Sequence, residues 1–241
     1  MRRGAIGVVA VVAVVAVAAI TAYLYFFSGL RSAPKPLALA SPKASASPST
    51  AASQRGTLAG SWTVGQGSLV GYRVREQFVG QSSPHEAVAR TNTVSGGLTV
   101  QQSGSILQAS NITFTAQLSG LQSVDQVAGY NVSQRDRFVS RSLDVQQFPE
   151  ATFKTGSVSL PTSAGDGQEF SMTVPGQLTI HGVTKDATAT VKARVNGSQL
   201  QLAGSTPATM TDFGITPPQV PFTTSESKVT IEFNLVLTMA G

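Results

Sequence analysis

From residue 60 onward, apolar side chains recur at every second position. Val70, Tyr72, Val74 and Phe78 alternate with Gly71, Arg73, Arg75 and Gln77. Ile112, Phe114, Ala116 and Leu118 alternate with Thr113, Thr115 and Gln117, and Val229, Ile231, Phe233, Leu235 and Leu237 do so with Thr230, Glu232, Asn234 and Thr238. A period of two with one wet face is the mark of half-buried antiparallel strands. Weaker runs follow the same rule at residues 94–100, 152–160, 170–180, 187–195 and 199–209. Gln102-Ser103-Gly104, His181-Gly182 and Asn196-Gly197 punctuate them, and Asn-Gly between alternating runs signals a tight hairpin. Strand and helix never alternate, which argues against a parallel sheet. The pattern predicts an antiparallel barrel or sandwich.

One interval breaks the period. Residues 131–141 place Val132, Arg135 or Asp136, and Val139 at helical spacing, with Asn131 or Ser133 available as N-cap. A short helix, or two, is expected between the strand ending near Leu121 and the one starting near Thr152. Arg137 and Arg141 stand one turn apart on its polar face. They read either as solvated arginines paired to Asp136 or Asp144, or as a cationic rim at a barrel mouth.

The first 59 residues have a different character. From Gly4 to Leu30 there are 27 residues without a charge, more than the roughly 20 a bilayer-crossing helix needs. A cleavable signal has an apolar core of only about 7–15 residues. Ala44-Ser45-Ala46 resembles a cleavage site but lies too far downstream, so residues 1–30 read as an uncleaved transmembrane anchor, a cleaved signal being the alternative. Tyr23, Tyr25, Phe26 and Phe27 fit an interfacial belt, and Arg2 with Arg3 favours a cytoplasmic N-terminus. The domain would then sit outside the cytoplasm on a single-pass anchor. Residues 31–59, rich in Ser, Ala and Pro, read as an extended, mobile tether with nothing to pack. Residues 60–241 form the domain.

Charge and chemistry exclude several classes. Six of the 17 basic residues lie in residues 1–56, which hold no acid, leaving 11 against 12 acids in the remainder. A folded part so near neutrality lacks the basic stripe of a nucleic-acid binder. Without cysteine there is no disulfide, thiolate nucleophile or iron–sulfur cluster. The two histidines, His85 and His181, have no partner at ligand spacing, so no metal site is expected; His181 reads as a hydrogen bond that shapes a turn. No nucleophile elbow, Walker loop or dinucleotide fingerprint occurs. Neither catalysis nor a cofactor is expected.

The order of four segments resembles the YceI-like family. Gly60-Ser61-Trp62-Thr63-Val64 is similar to its first strand and Tyr72-Arg73-Val74-Arg75-Glu76 to its second. Arg135-Asp136, Phe138 and Phe148-Pro149-Glu150-Ala151-Thr152-Phe153 resemble its helical insert and the strand entry that follows. Gly176-Gln177-Leu178-Thr179-Ile180-His181-Gly182-Val183-Thr184-Lys185 resembles its most specific hairpin, and beyond these four Phe213-Gly214-Ile215 also agrees with its close. In the family a histidine-centred stretch follows the second strand. Here His85 comes later among polar residues and takes no role from the resemblance.

What the resemblance implies is an extended, lipocalin-like antiparallel β-barrel with a short helical insert that holds an isoprenoid-type lipid. The apolar lining would comprise Tyr72, Val74, Phe78, Phe114, Leu178, Ile180, Val191, Ile231, Phe233 and Leu235, with Arg137 and Arg141 as head-group candidates. Each buried CH₂ is worth about 0.8 kcal/mol, so a long tail needs no polar contact to bind tightly. The rival reading is a structural or interaction module of the cell envelope in which the same residues merely fill a core. Oligomeric state is not written in the sequence.

Overall fold

The computed structural model describes residues 15–18, 20–21, 31–40, 58–79, 84–127, 129–166, 168–196, 198–220 and 223–240. Ten strands and one helix carry the architecture: β1 Gly60–Val64, β2 Leu69–Phe78, β3 His85–Thr91, β4 Val94–Ser103, β5 Ile106–Gln117, α1 Ser133–Ser142, β6 Glu150–Leu160, β7 Phe170–Ile180, β8 Val183–Asn196, β9 Gln199–Thr209 and β10 Thr223–Met239. Eight strands close a barrel in the order β9-β8-β7-β6-β5-β4-β1-β10, and β10 returns to β9. Every pairing is antiparallel. Closure runs from Gln199 opposite Thr238 to Thr209 opposite Lys228. An eight-stranded barrel has an interior that side chains can just fill or that can hold one small ligand.

β10 is long because it serves three partners. Its free edge takes β1 near Thr238 and then β2 from Asn234 down to Thr223, with a bulge between Ser225 and Val229. β3 extends this wing. The predicted runs at 94–100, 152–160, 170–180, 187–195 and 199–209 all fall within strands. Sequence periodicity missed β3, because five of its seven residues are buried and the wet face that makes a strand legible is lost.

The hairpin joining β7 and β8 turns at His181 and Gly182, with φ of 51° and 73°. Two positive φ values in a two-residue loop match the twist of the flanking strands. A side chain at Gly182 would also collide with the Phe148 ring, 2.6 Å from its Cβ position. His181 Nδ1 lies 3.2 Å from the Phe213 carbonyl, so this histidine ties its turn to the segment after β9 instead of bonding within the turn. At the other end of the barrel Trp62, fully buried, donates its indole N–H to the Leu58 carbonyl at 2.8 Å and packs with Leu98, Val100, Leu235 and Leu237.

The tether expectation needs correction where the structure describes it. Arg31–Ser32 pair with Gln126–Val127, and residues 34–40 lie along the outer wall rather than free of it. Arg73 donates to the Pro34 carbonyl, Arg90 to that of Lys35 at 2.7 Å, and Leu37 donates its N–H to Glu232 at 3.1 Å. Asn234 and Arg194 hold the Ala38 and Ala40 carbonyls. Beneath this strap sits an ion cluster: Arg73 reaches Glu232 at 2.7 Å and Glu86 at 2.6 Å, and Arg90 reaches Glu232 at 2.8 Å. Glu232 is on the wet face of β10 by period, yet the strap and its two arginines bury it. Backbone carbonyls are what the arginines hold, and every residue type carries one.

Of the apolar run at 4–30, only residues 15–18 and 20–21 are described; they are helical, and Val15, Val17 and Ile20 are exposed. No helix among the described residues is long and apolar enough to cross a membrane. The anchor expectation otherwise falls outside the described residues.

Candidate functional site

Two adjoining chambers, a narrow one within the eight-stranded barrel and a wide one walled also by β2 and α1, share Val70, Ala116, Ala151 and Ile231 as a collar. The narrow chamber has a volume of about 150 Å³ and is apolar except for Thr115, Thr152 and Thr206. Phe114, Leu178, Val191, Phe233 and Leu235 face it, and Ile231 faces both chambers. An apolar hole of this size stays dry and accepts a hydrocarbon group. The wide chamber measures about 550 Å³, within the range of small-molecule sites. Tyr72, Val74, Phe78 and Ile180 face it, along with Phe213 and Ile215 from the segment after β9. The ten side chains expected to line an interior are thus divided between the two.

The helix α1 forms one wall of the wide chamber. Asn131 accepts hydrogen bonds from the Ser133 N–H at 3.2 Å and its hydroxyl at 2.6 Å, engaging one amide of the first turn. Asp136 ties the helix to Ser123 through the backbone N–H at 3.0 Å and the hydroxyl at 2.7 Å. Arg135, Phe138 and Val139 face the chamber. Arg137 and Arg141 are exposed and line neither chamber; the Arg141 guanidinium lies 5.7 Å from the centre of the Phe138 ring.

A polar cluster is set into this otherwise oily wall. Asp125 receives a bidentate pair from Arg135 at 2.7 and 3.0 Å, the Val88 N–H at 3.0 Å and His85 Nε2 at 2.7 Å. Burial alone would raise the Asp125 carboxyl, but the hydrogen bonds from His85, Arg135 and Val88 and the Arg135 charge win and hold it well below the usual carboxylate range. Glu76, opposite Ser225 on β10 and beside the bulge, faces the chamber. Its carboxyl is raised, with burial outweighing the nearby Arg135 charge. Arg135 is 3.1 Å from Glu76 Oε2 but is not aligned to donate to it, so that buried oxygen has no hydrogen-bond partner among the described residues. Burial also pushes the Tyr72 phenol up.

Sequence reading missed Glu76, Asp125, Arg135 and His85 as site residues. The signal for Glu76 was present: the register that turns Tyr72, Val74 and Phe78 inward turns position 76 inward as well. A carboxylate in an apolar register is a flag in its own right. Asp125 gave no such signal, since it belongs to an irregular segment and meets His85 from 40 positions away. No group of three or more His, Asp or Glu side chains that could hold a metal occurs among the described residues.

Comparison with known proteins places this geometry. No protein of curated function matches the sequence. Among solved structures, the chain is similar to a polyisoprenoid binding domain from Saccharophagus degradans implicated in plant cell wall breakdown, with a TM-score of 0.50 and 13% identity over 74% of this chain and 98% of that one. It is also similar to BcnA of Burkholderia cenocepacia, with a TM-score of 0.44 and 20% identity over 68% and 95% of the two chains. At 13% identity the likeness to the Saccharophagus domain is one of fold. The profile of the YceI-like domain matches residues 63–237, from the first barrel strand to the last. The chain belongs to the YceI-like domain family.

Proposed function

We propose that this chain is a membrane-tethered, extracytoplasmic binding protein that holds a long apolar lipid of the isoprenoid type inside its barrel, without making or breaking bonds. The observation that carries the reading is the pair of adjoining chambers, one of about 150 Å³ inside a barrel narrow enough for side chains to have filled and one of about 550 Å³ continuing it beneath β2 and α1. The polyisoprenoid-binding description of the Saccharophagus domain, which shares the fold, supports the choice of ligand class. The uncharged run at 4–30 supports the tether.

Organic extracts of the purified full-length protein, analysed by mass spectrometry, test the ligand. A co-purifying long-chain isoprenoid is expected. Extracts free of lipid, together with failure of the protein to take up added isoprenoid, would leave an interaction module of the envelope as the reading. Intact-mass analysis of the native protein tests the anchor, and a mature N-terminus at or beyond Ser28 would remove it.

A further inference from the structure

We infer that the loop at residues 129–131 and the outward face of α1 form a docking surface for an anionic lipid bilayer, and that this surface carries the mouth of the wide chamber. The docking surface stands on its own observations. That a lipid passes through the mouth rests on the carrier reading.

Exposure locates the mouth. Among the described residues that line the wide chamber, the exposed ones are Gly129, Tyr130, Asn131, Gln134 and Phe138, all in one short stretch of loop and helix. No described residue lining the narrow chamber is exposed. The narrow chamber is therefore reached through the wide one, and the wide one past residues 129–138.

The rim has the composition of a membrane interface. Tyr130 and Phe138 each line the chamber and also meet solvent. Val79, exposed as well, follows Phe78, whose ring centre lies 4.6 Å from that of Tyr130. At about 100° per residue, Gln134, Arg137, Phe138 and Arg141 share an outward arc of about 100° on α1, while Arg135 and Val139 fall on the chamber side. Asp136 lies outside that arc, where Ser123 holds its carboxylate. Arg137 and Arg141 make no ion pair among the described residues, and the Arg141 guanidinium rests over the Phe138 ring. Exposed aromatic rings beside unmatched cations suit a bilayer: the rings enter the acyl boundary and the cations meet anionic head groups. The chain brings the same end to the membrane, since Arg31–Ser32, directly after the uncharged run, pair with Gln126–Val127, and Val127 bridges to Tyr130.

The test uses full-length protein reconstituted into liposomes of phosphatidylcholine, alone or mixed with phosphatidylglycerol. The chain has no cysteine, so Gln134→Cys and Ser105→Cys each carry a single spin label. Ser105 lies in the turn between β4 and β5, at the far end of β5 from the collar residue Ala116. In anionic liposomes the label at 134 should be shielded from a water-soluble nickel chelate and relaxed by oxygen, and the label at 105 should not. Each arginine near an anionic surface is worth about fivefold, so Arg137→Gln with Arg141→Gln should lower the ratio of docked to free barrel by about tenfold or more. Arg137→Lys with Arg141→Lys should keep it, and added salt should weaken it. Full access of the chelate to position 134 in anionic liposomes, or docking unchanged by loss of both arginines, overturns the inference. Isoprenoid uptake separates the two readings. The parent should load faster from anionic than from neutral liposomes, and the double Gln variant should lose that advantage yet load from detergent micelles as the parent does. Equal loading from both liposomes overturns the docking surface as the route of entry. If the parent loads from no source, the carrier reading falls and the spin labels alone decide docking.

Discussion

The narrow chamber and the wide one are walled in part by the same strands, yet they hold different things. In the narrow chamber, Leu98, Val100, Phe170, Val191 and Phe233 offer contact area without direction. A few residues along β2, the wide chamber adds Glu76 and Arg135, backed by Asp125 and His85. Hydrophobic burial is additive and unselective, so the first kind of wall sets how strongly a tail is held. Buried polar groups cost stability unless they are paired, and so the second kind of wall sets what else must be present. The difference teaches that the interior is divided into an end that offers contact area alone and an end that also offers fixed polar groups.

The largest effect should come from the polar end. Asp125→Ala strands Arg135 and His85 without their carboxylate, and breaking a buried pair from one side costs about 3–5 kcal/mol. Urea denaturation should show a loss of that size; a loss below about 1 kcal/mol would mean that the cluster is wet and the contrast between the ends is shallow.

The same bulky substitution on both sides of the collar sharpens the comparison. Val191→Trp in the narrow chamber should behave as overpacking and cost about 1–3 kcal/mol. Val74→Trp projects into about 550 Å³ of space. It should cost less than its counterpart and abolish loading of an isoprenoid. Thermal melts paired with lipid extraction distinguish the two variants, and equal destabilisation would mean that the interior behaves as one filled core.

The smallest effect is one of pH. Asp125, depressed in the fold, contributes stability that is present above its ordinary pKa, near 4, and lost as pH falls. Glu76, raised in the fold, works the other way: its contribution is full below about pH 4 and is lost as pH climbs through its folded value. Glu76→Gln removes only the second loss. Relative to the parent, the variant should gain stability as pH rises above the ordinary carboxylate range, read from denaturant midpoints at each pH. No change in that difference would place Glu76 in contact with water.

The barrel was legible because alternation is local. Ile231, Phe233 and Leu235 declare a strand without reference to anything distant, and the same rule picked out residues on the walls of both chambers. His85–Thr91 escaped because burial on both faces erases alternation. The polar cluster escaped for a different reason. Asp125 acquires meaning only when β3 and α1 deliver His85, Val88 and Arg135 to it, and that is a fact of three dimensions. Glu76 lay between, legible by register and hidden by its residue type. The strap on the outer wall was illegible in principle, since Arg73 and Arg90 grip carbonyls of Pro34 and Lys35 that no side chain announces.

That strap changes the mechanics of the leash. A free coil spanning residues 31–59 would let the barrel wander over roughly 30 Å and present any side to a membrane. Arg31–Ser32 are instead clasped to Gln126–Val127, and Val127 bridges to Tyr130 on the wide chamber's wall. With the anchor proposed at 4–30, the slack falls almost to zero and the rotational search is removed with it. On the proposed carrier reading the wide-chamber end is then held beside the bilayer surface, where the local concentration of lipid is highest and the distance a tail must cross through water is shortest.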